Sequence, residues 1–225
     1  MRFATDEFEK LKDALVLYDC ALRKMNLRMD ILLADYKKLK QRNPVEHIKT
    51  RLKSPESVAR KLFNNGHTIT AANAQTQLFD IAGLRIICYY ARDIVDLADV
   101  LRRQPGITVL TEKDYVTHPK KSGYRSYHMI IEIPVYLTDS TINLPVEVQI
   151  RTQGMDFWAS LEHQVRYKYQ GEIPKHLYDE LTDIASEVAS LDERMYLIQE
   201  LAGMAYRTEA TSTDNVVRLP LPPAP

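Results

Sequence analysis

Gly83-Leu84-Arg85-Ile86-Ile87-Cys88-Tyr89-Tyr90 is nearly continuous in apolarity and rich in β-favouring residues. That pattern predicts a buried central strand. Working outward, residues 107–111, 127–135 and 144–150 predict further strands, the last two joined by the polar turn Thr138-Asp139-Ser140. Helical spacing alternates with them. Residues 93–103 carry Ile94, Leu97, Ala98 and Leu101 on one face, and 57–63, 75–79 and 159–169 read as shorter helices. Strands interspersed with helices, several joined by short turns, predict an α/β fold with a mixed sheet and surrounding helices.

Two long helices bracket this middle. Apolar residues step by three and four from Phe8 to Leu39, until Asn43-Pro44 closes the helix, and again from Leu177 to Ala205 after Pro174. The plainer reading packs the stripes on each other or on the domain; because two of them exceed what one small core consumes, self-association is the sharper expectation. From Arg207 the chain turns polar and then proline-rich, a composition that cannot pack. The predicted organisation is an N-terminal helix over 1–43, a central domain over 44–170, a C-terminal heptad helix over 171–207 and a disordered tail over 208–225.

The chain has 225 residues, with 30 basic and 30 acidic side chains that cancel. No global charge advertises a nucleic acid or an anionic membrane, so any attraction for a polyanion must be local. Cys20 and Cys88 are far apart in apolar settings and are expected to be buried free thiols. No apolar run reaches the ~18 residues of a membrane span, and the N-terminus lacks a signal-peptide h-region. A soluble cytoplasmic protein is expected.

Familiar phosphate cradles are absent: there is no Walker A loop and no Gly-x-Gly-x-x-Gly, and the histidines and cysteines never reach zinc-ligand spacing. Phosphate handling would therefore rest on side-chain cations. His47-Ile-Lys49-Thr-Arg51-Leu-Lys53, extended, projects His47, Lys49, Arg51 and Lys53 to one side, and Ser57 and Lys61 share the helical face that follows. A solvated charge run is the plainer alternative. Lys113 to His128 forms a loop whose cations suit phosphates and whose tyrosines can stack on a base. Glu147, Gln149 and Arg151 share one face of a strand, and Asp80 opens another. Buried acids are costly unless paired or bound to metal. Asp80 and Glu147 thus either meet arginine partners such as Arg85 and Arg151 or converge on Mg²⁺, which favours carboxylates plus substrate phosphates.

Asp80-Ile-Ala-Gly-Leu-Arg85, Lys120-Lys-Ser-Gly-Tyr-Arg-Ser-Tyr-His128 and Val146-Glu-Val-Gln-Ile-Arg-Thr152 resemble the synthetase domain of RelA/SpoT-type (p)ppGpp synthetases. Met155-Asp-Phe-Trp-Ala-Ser-Leu-Glu-His163 and Tyr167-Lys-Tyr169 extend the likeness. In length and flanking helices the chain is similar to the stand-alone small alarmone synthetases, the RelQ type in particular. No His-Asp hydrolase motif accompanies these stretches, so synthesis without hydrolysis is expected.

The resemblance implies a nucleotidyltransferase-like fold and a GTP/GDP diphosphokinase of the stringent response. In it the 3′-hydroxyl of GDP or GTP (with GMP a further candidate, by the same likeness) attacks the β-phosphorus of ATP, and AMP leaves. By the same resemblance, Asp80 and Glu147 bind Mg²⁺, with Glu147 also a candidate base. Arg51 and Arg85 sandwich the adenine, and Lys53, Ser57 and Lys61 hold ATP phosphates. Tyr124 stacks on guanine, while Lys113, Lys120, Lys121 and His128 face the acceptor's phosphates. Gln149, Arg151 and His163 line the cleft. Asp156, where family members often carry Asn, is expected to select guanine by accepting from N1–H and the 2-amino group; a helix N-cap is the competing role. A homotetramer is implied. Asn26, Asp30 and His47 stand where some members bind product between subunits, and Asp30 would repel phosphate, which argues against that regulation. Two other classes stay open: a pyrophosphokinase for another acceptor (a tRNA 3′-end or an adenosine nucleotide), and a non-catalytic nucleotide- or RNA-binding module. The neutral net charge does not point to RNA.

Overall fold

A computed structural model describes residues 5–169 and 173–213, with side chains over 6–169 and 173–202. In chain order the elements are α1 (Thr5–Lys40), β1 (Val45–Leu52), α2 (Pro55–Asn64), α3 (Ala71–Gln77), β2 (Ala82–Cys88), α4 (Ala91–Arg102), β3 (Thr108–Asp114), β4 (Tyr127–Tyr136), β5 (Thr141–Thr152), α5 (Gln153–Lys168) and α6 (Lys175–Thr213). The strands form one mixed sheet in the order β1-β2-β5-β4-β3. Only β2 and β5 run parallel, and the other neighbours are antiparallel. The mixed α/β architecture expected from the sequence is the one observed.

Strand periodicity gives the sheet two chemically distinct faces. Leu84 and Ile86 on β2, Met129, Ile131 and Ile133 on β4, and Val146, Val148 and Ile150 on β5 are buried in one core with α1 and α4. The intervening residues Gly83, Arg85, His128, Glu147 and Gln149 are half-buried on the opposite side. Most buried apolar residues are thus spent on one face, and the other, with Ile87 buried at its end, is left mainly for polar side chains.

The α1 stripe is consumed by this core: Leu11, Leu15, Tyr18, Leu22, Met25 and Met29 are all buried against the chain's own domain. It is therefore not the free seam predicted from its spacing. Of the exposed apolar residues of α1, Val16, Leu27 and Ile31 lie off that stripe, and Leu39 stands at its far end. The α6 stripe divides. Leu181, Ile184 and Val188 are partly buried, whereas Leu191, Met195, Ile198 and Leu201 are exposed. Helix α6 also continues past residue 207 to Thr213, and the expected tail beyond 213 lies outside the described residues. Cys88 is buried but Cys20 is exposed on α1, and both are free. Proximity to apolar neighbours in sequence had suggested burial of both, but Cys20 falls on the outer face of its helix.

Candidate active site

Two hollows of about 220 and 400 Å³ lie against the polar face of the sheet and share Arg51 and Arg85 as a common wall. Together they match the size range of small-molecule sites, roughly 300–1,000 Å³. The first is lined by Lys49, Arg51, Gly83, Arg85, Glu147 and Gln149. The second adds Tyr124, Arg151 and His163, with α5 forming its far wall.

Pairing of the strands assembles the first hollow. Arg51 on β1 sits opposite Gly83 on β2, which in turn sits opposite Glu147 on β5. A glycine between the two keeps the strands' polar face open, since a side chain there would fill the floor of the cleft. Lys49 pairs with Arg85, and Arg85 with Gln149. Lys49 and Arg51 thus line the cleft as the alternation predicts, while Ile48 and Leu52 line a separate groove against α1 and Thr50 borders both.

Asp80 stands just before β2. Its Oδ2 accepts from Lys53 Nζ at 2.8 Å and Lys61 Nζ at 2.5 Å, and Lys53 also donates to the Asp80 carbonyl at 2.6 Å. Helix α2 delivers Lys61 because Ser54 caps it, accepting from Ser57 N, and Pro55 opens its first turn. Ser57 Oγ lies 3.1 Å from Ser54 Oγ in that cap. The partners of Asp80 are therefore lysines, not Arg85. Burial pushes the Asp80 carboxyl up, but the bonds from Lys53 and Lys61 outweigh it and hold the group below its usual value.

An acid with a depressed folded pKa contributes stability that is present above its unfolded pKa and lost as pH falls through its folded one. Asp80→Asn is therefore expected to cost stability at neutral pH and little below the ordinary carboxylate range. Denaturant unfolding of both proteins in the two ranges checks this; an equal difference in both would overturn it.

Asp80 Oδ1, by contrast, is buried without a hydrogen-bond partner. A carboxylate oxygen in that state is costly unless a cation faces it. Glu147, on the neighbouring strand β5, is half-buried, and His128 Nδ1 lies 3.9 Å from its Oε1. The donor set of two carboxylates fits Mg²⁺. Among the described residues no group of three or more acidic, histidine or cysteine side chains converges, so further oxygens would have to come from substrate phosphates.

The second hollow is organised by Arg151, which is buried and anchored on both sides. It donates to Asp156 Oδ1 at 3.0 Å, Tyr124 Oη at 2.6 Å, Gln149 Oε1 at 2.9 Å and Ser126 Oγ at 3.3 Å. Asp156 Oδ1 also accepts from Arg85 Nη1 at 3.1 Å. One carboxylate oxygen thus ties an arginine of each hollow. The competing role of Asp156 as a helix cap is overturned: Thr152 caps α5, accepting from Met155 N at 3.0 Å, and the helix begins earlier than its apolar spacing suggested.

Tyr124, Tyr115 and His128 pack edge to face, and Lys120 Nζ lies 4.7 Å from the Tyr115 ring centre and 4.9 Å from that of Tyr124. Lys113 pairs with His128 across β3 and β4, while Lys121 is exposed on the loop. His128 is driven down to about 4 by burial first, then by the nearby charges of Arg151, Lys120 and Lys113. It is neutral at physiological pH.

Several contributors were not legible beforehand. Ser126 is buried beneath Arg151, and its hydroxyl donates to the Ile150 carbonyl at 3.3 Å. Asp192 of α6 accepts from Thr152 Oγ1 at 2.5 Å, bracing the start of α5 from forty residues away in sequence. No short-range pattern announces either contact. Of the three positions linked to product binding, Asn26 and Asp30 line the groove between α1 and β1, whereas His47 does not and pairs with Glu46.

A family model described as "Region found in RelA / SpoT proteins" matches residues 50–172. GTP pyrophosphokinase YwaC of Bacillus subtilis (strain 168) is 42% identical over 192 residues, which is 85% of this chain and 91% of the relative. The chain belongs to the RelA/SpoT family. Its likeness to small alarmone synthetases extends to structure. Small alarmone synthetase 2 from Bacillus subtilis superposes with a TM-score of 0.76 at 41% identity, covering 84% of this chain and 97% of that one. Small alarmone synthetase 1 from the same organism, solved with its product pppGpp, gives 0.75 at 32% identity over 84% and 96% of the two chains. Its complex with AMPCPP gives 0.72 at 29% identity over 87% and 99%. Within the matched region lie the cleft residues from Arg51 to His163, whereas Lys49, α1 and the whole of α6 fall outside it.

Proposed function

We propose that this RelA/SpoT-family chain is a GTP diphosphokinase that moves the β,γ-diphosphate of ATP to the 3′-hydroxyl of GDP or GTP, with GMP a further acceptor, and releases AMP. The observation that carries this reading is the buried, unpartnered Oδ1 of Asp80, whose Oδ2 is held by Lys53 and Lys61, beside the strand that bears Glu147. A carboxylate pair ringed by cations suits phosphoryl transfer, in which positioning and charge neutralisation supply most of the rate. Mg²⁺ bound by Asp80 and Glu147 would neutralise developing charge on the phosphates. The chain's own groups do the remainder. Lys53, Lys61 and Ser57 hold ATP phosphates, Arg51 and Arg85 flank the adenine, and Glu147 accepts the acceptor's proton. Lys113, Lys120 and Lys121 face the acceptor's phosphates, and Tyr124 stacks on its base once Lys120 swings from the ring. Product formation of this kind places the protein in the stringent response.

Asp156 is the proposed guanine selector. A carboxylate accepts from N1–H and the 2-amino group together, a donor pair that adenine lacks. Binding guanine would draw the carboxylate from Arg85 and leave that guanidinium for adenine. Asp156→Ala is therefore expected to weaken guanosine-nucleotide binding about 10–100-fold, the worth of hydrogen bonds to a charged group, with ATP affinity kept. Calorimetric titration with GDP and with a non-hydrolysable ATP analogue checks this, and an equal loss of both would count against the role.

Incubation of the full chain with Mg²⁺, γ-labelled ATP and GDP, GTP, GMP, AMP or tRNA tests the function as a whole. Label on guanosine nucleotides with AMP release is expected. Label confined to tRNA or AMP would establish a different acceptor, and no transfer would leave a nucleotide-binding module. We further propose a cytoplasmic homotetramer. Free Cys20 and Cys88 suit a reducing compartment, and the exposed Leu191, Met195, Ile198 and Leu201 of α6 supply an apolar seam. Light scattering tests the subunit number.

A further inference from the structure

The Tyr124 hydroxyl stands between two partners. Arg151 Nη2 donates to it at 2.6 Å, and His128 Nε2 lies 2.8 Å from it. A guanidinium has no acceptor, so the phenol oxygen accepts from Arg151. The phenol proton then needs an acceptor of its own, and His128 Nε2 is in place to take it. Were Nε2 protonated, two donors would crowd one oxygen and the phenol proton would be left unpaired, which is costly in a half-buried site.

A neutral imidazole that accepts at Nε2 carries its proton on Nδ1. That nitrogen faces Glu147 Oε1 at 3.9 Å, across the β4–β5 pairing that sets His128 opposite Gln149 and Ile130 opposite Glu147. The gap is too long for a hydrogen bond, yet contacts of this kind are often long in unliganded sites and close when substrate binds.

We propose that His128 is a positioning residue for Glu147: the Arg151–Tyr124 chain fixes its proton on Nδ1, which donates to Glu147 Oε1 and leaves the other carboxylate oxygen to the acceptor hydroxyl. The inference rests on the place of Glu147 in the proposed transfer. It differs from a contact between His128 and the acceptor's phosphates. A phosphate contact serves binding and raises KM when lost, whereas an oriented base shows in kcat.

Two substitutions separate these roles. The amide nitrogen of Asn sits where Nδ1 sits, and that of Gln where Nε2 sits. His128→Gln is expected to lower kcat about 10–100-fold with KM for GDP within about twofold, because lost orienting partners act on this scale. His128→Asn is expected to keep most of kcat. Equal losses in both, or a raised KM for GDP with kcat unchanged, would overturn the proposal. Nitrogen-15 NMR of the imidazole in the unliganded full chain gives a readout free of catalysis. The Nδ1–H tautomer is expected, with Tyr124→Phe releasing it toward Nε2–H. An Nε2–H ring in an active wild-type enzyme would overturn the proposal alone. An Nδ1–H ring in a protein with no transferase activity would overturn the assignment of Glu147, and the proposal with it.

Discussion

Glu147→Gln is expected to lower diphosphate transfer by about 10²–10⁴-fold, the usual contribution of a positioned general base. The substitution keeps the side chain's shape and removes its charge. It should leave the fold alone, because among the described residues Glu147 forms no ion pair with a lysine or arginine, and the neutral His128 ring stands 3.9 Å away, beyond hydrogen-bond reach. Glu147 belongs to the polar face of β5, between the buried Val146 and Val148 that fix the strand. Those neighbours hold the carboxylate in the cleft whether or not it is ionised. Chromatography of labelled product, read beside a melting curve, tests this. Near-normal transfer in a normally folded Glu147→Gln protein would show that neither a base nor a second metal-binding carboxylate is needed there.

Gly123→Ala is expected to destabilise the protein by about 2–5 kcal/mol, through two effects that add. Gly123 has φ +86°, a left-handed conformation that side chains resist. A Cβ built on it would also meet Ala185 Cβ of α6 at 2.5 Å, closer than real carbon atoms approach. The turn cannot easily yield, since Gly123 N donates to Lys120 O at 2.8 Å and Lys120 N to Tyr124 O at 3.1 Å. Behind it Trp158 donates to the Leu181 carbonyl at 2.8 Å, fixing α6 against α5. A fall in Tm of roughly 5–20 °C corresponds to this cost in a domain of this size. In an Ala185→Gly background the same change should cost only the backbone part, about 1–2 kcal/mol. An unaltered melting temperature in Gly123→Ala would show that the loop does not bear on α6 as described. Because the same turn carries Lys120 and Tyr124, weaker binding of the guanosine nucleotide is expected alongside.

The sheet was legible because its signals are local. The apolar run through Ile86 and Ile87 marks the interior strand β2, although β5 takes the centre of the sheet, and the alternation through Val146, Glu147, Val148 and Gln149 gives both the strand and its two faces. The cations of β1 and the loop before β4 were legible as residue types suited to phosphates, since a cluster of unneutralised lysines and arginines is visible in one dimension. Helix ends were less so. The start of α5 was missed because Thr152 caps it through its own hydroxyl, a contact that apolar spacing does not record. The fate of the heptad stripes was also hidden. Spacing shows that a helix has an apolar side, but it cannot show that the α1 side is already covered by the domain's own sheet.

By itself the sequence determined the α/β class, the family-like motifs and the set of charged residues available to bind nucleotides, because each follows from periodicity or residue type along the chain. Tertiary structure alone decided the pairings. It gave Asp80 to Lys53 and Lys61 instead of Arg85, joined Arg85 and Arg151 on Asp156, and placed His128 against both Tyr124 and Glu147. Those choices depend on strand order and register, which bring residues dozens of positions apart within a few ångströms, and an electrostatic partner is selected by that distance rather than by sequence spacing.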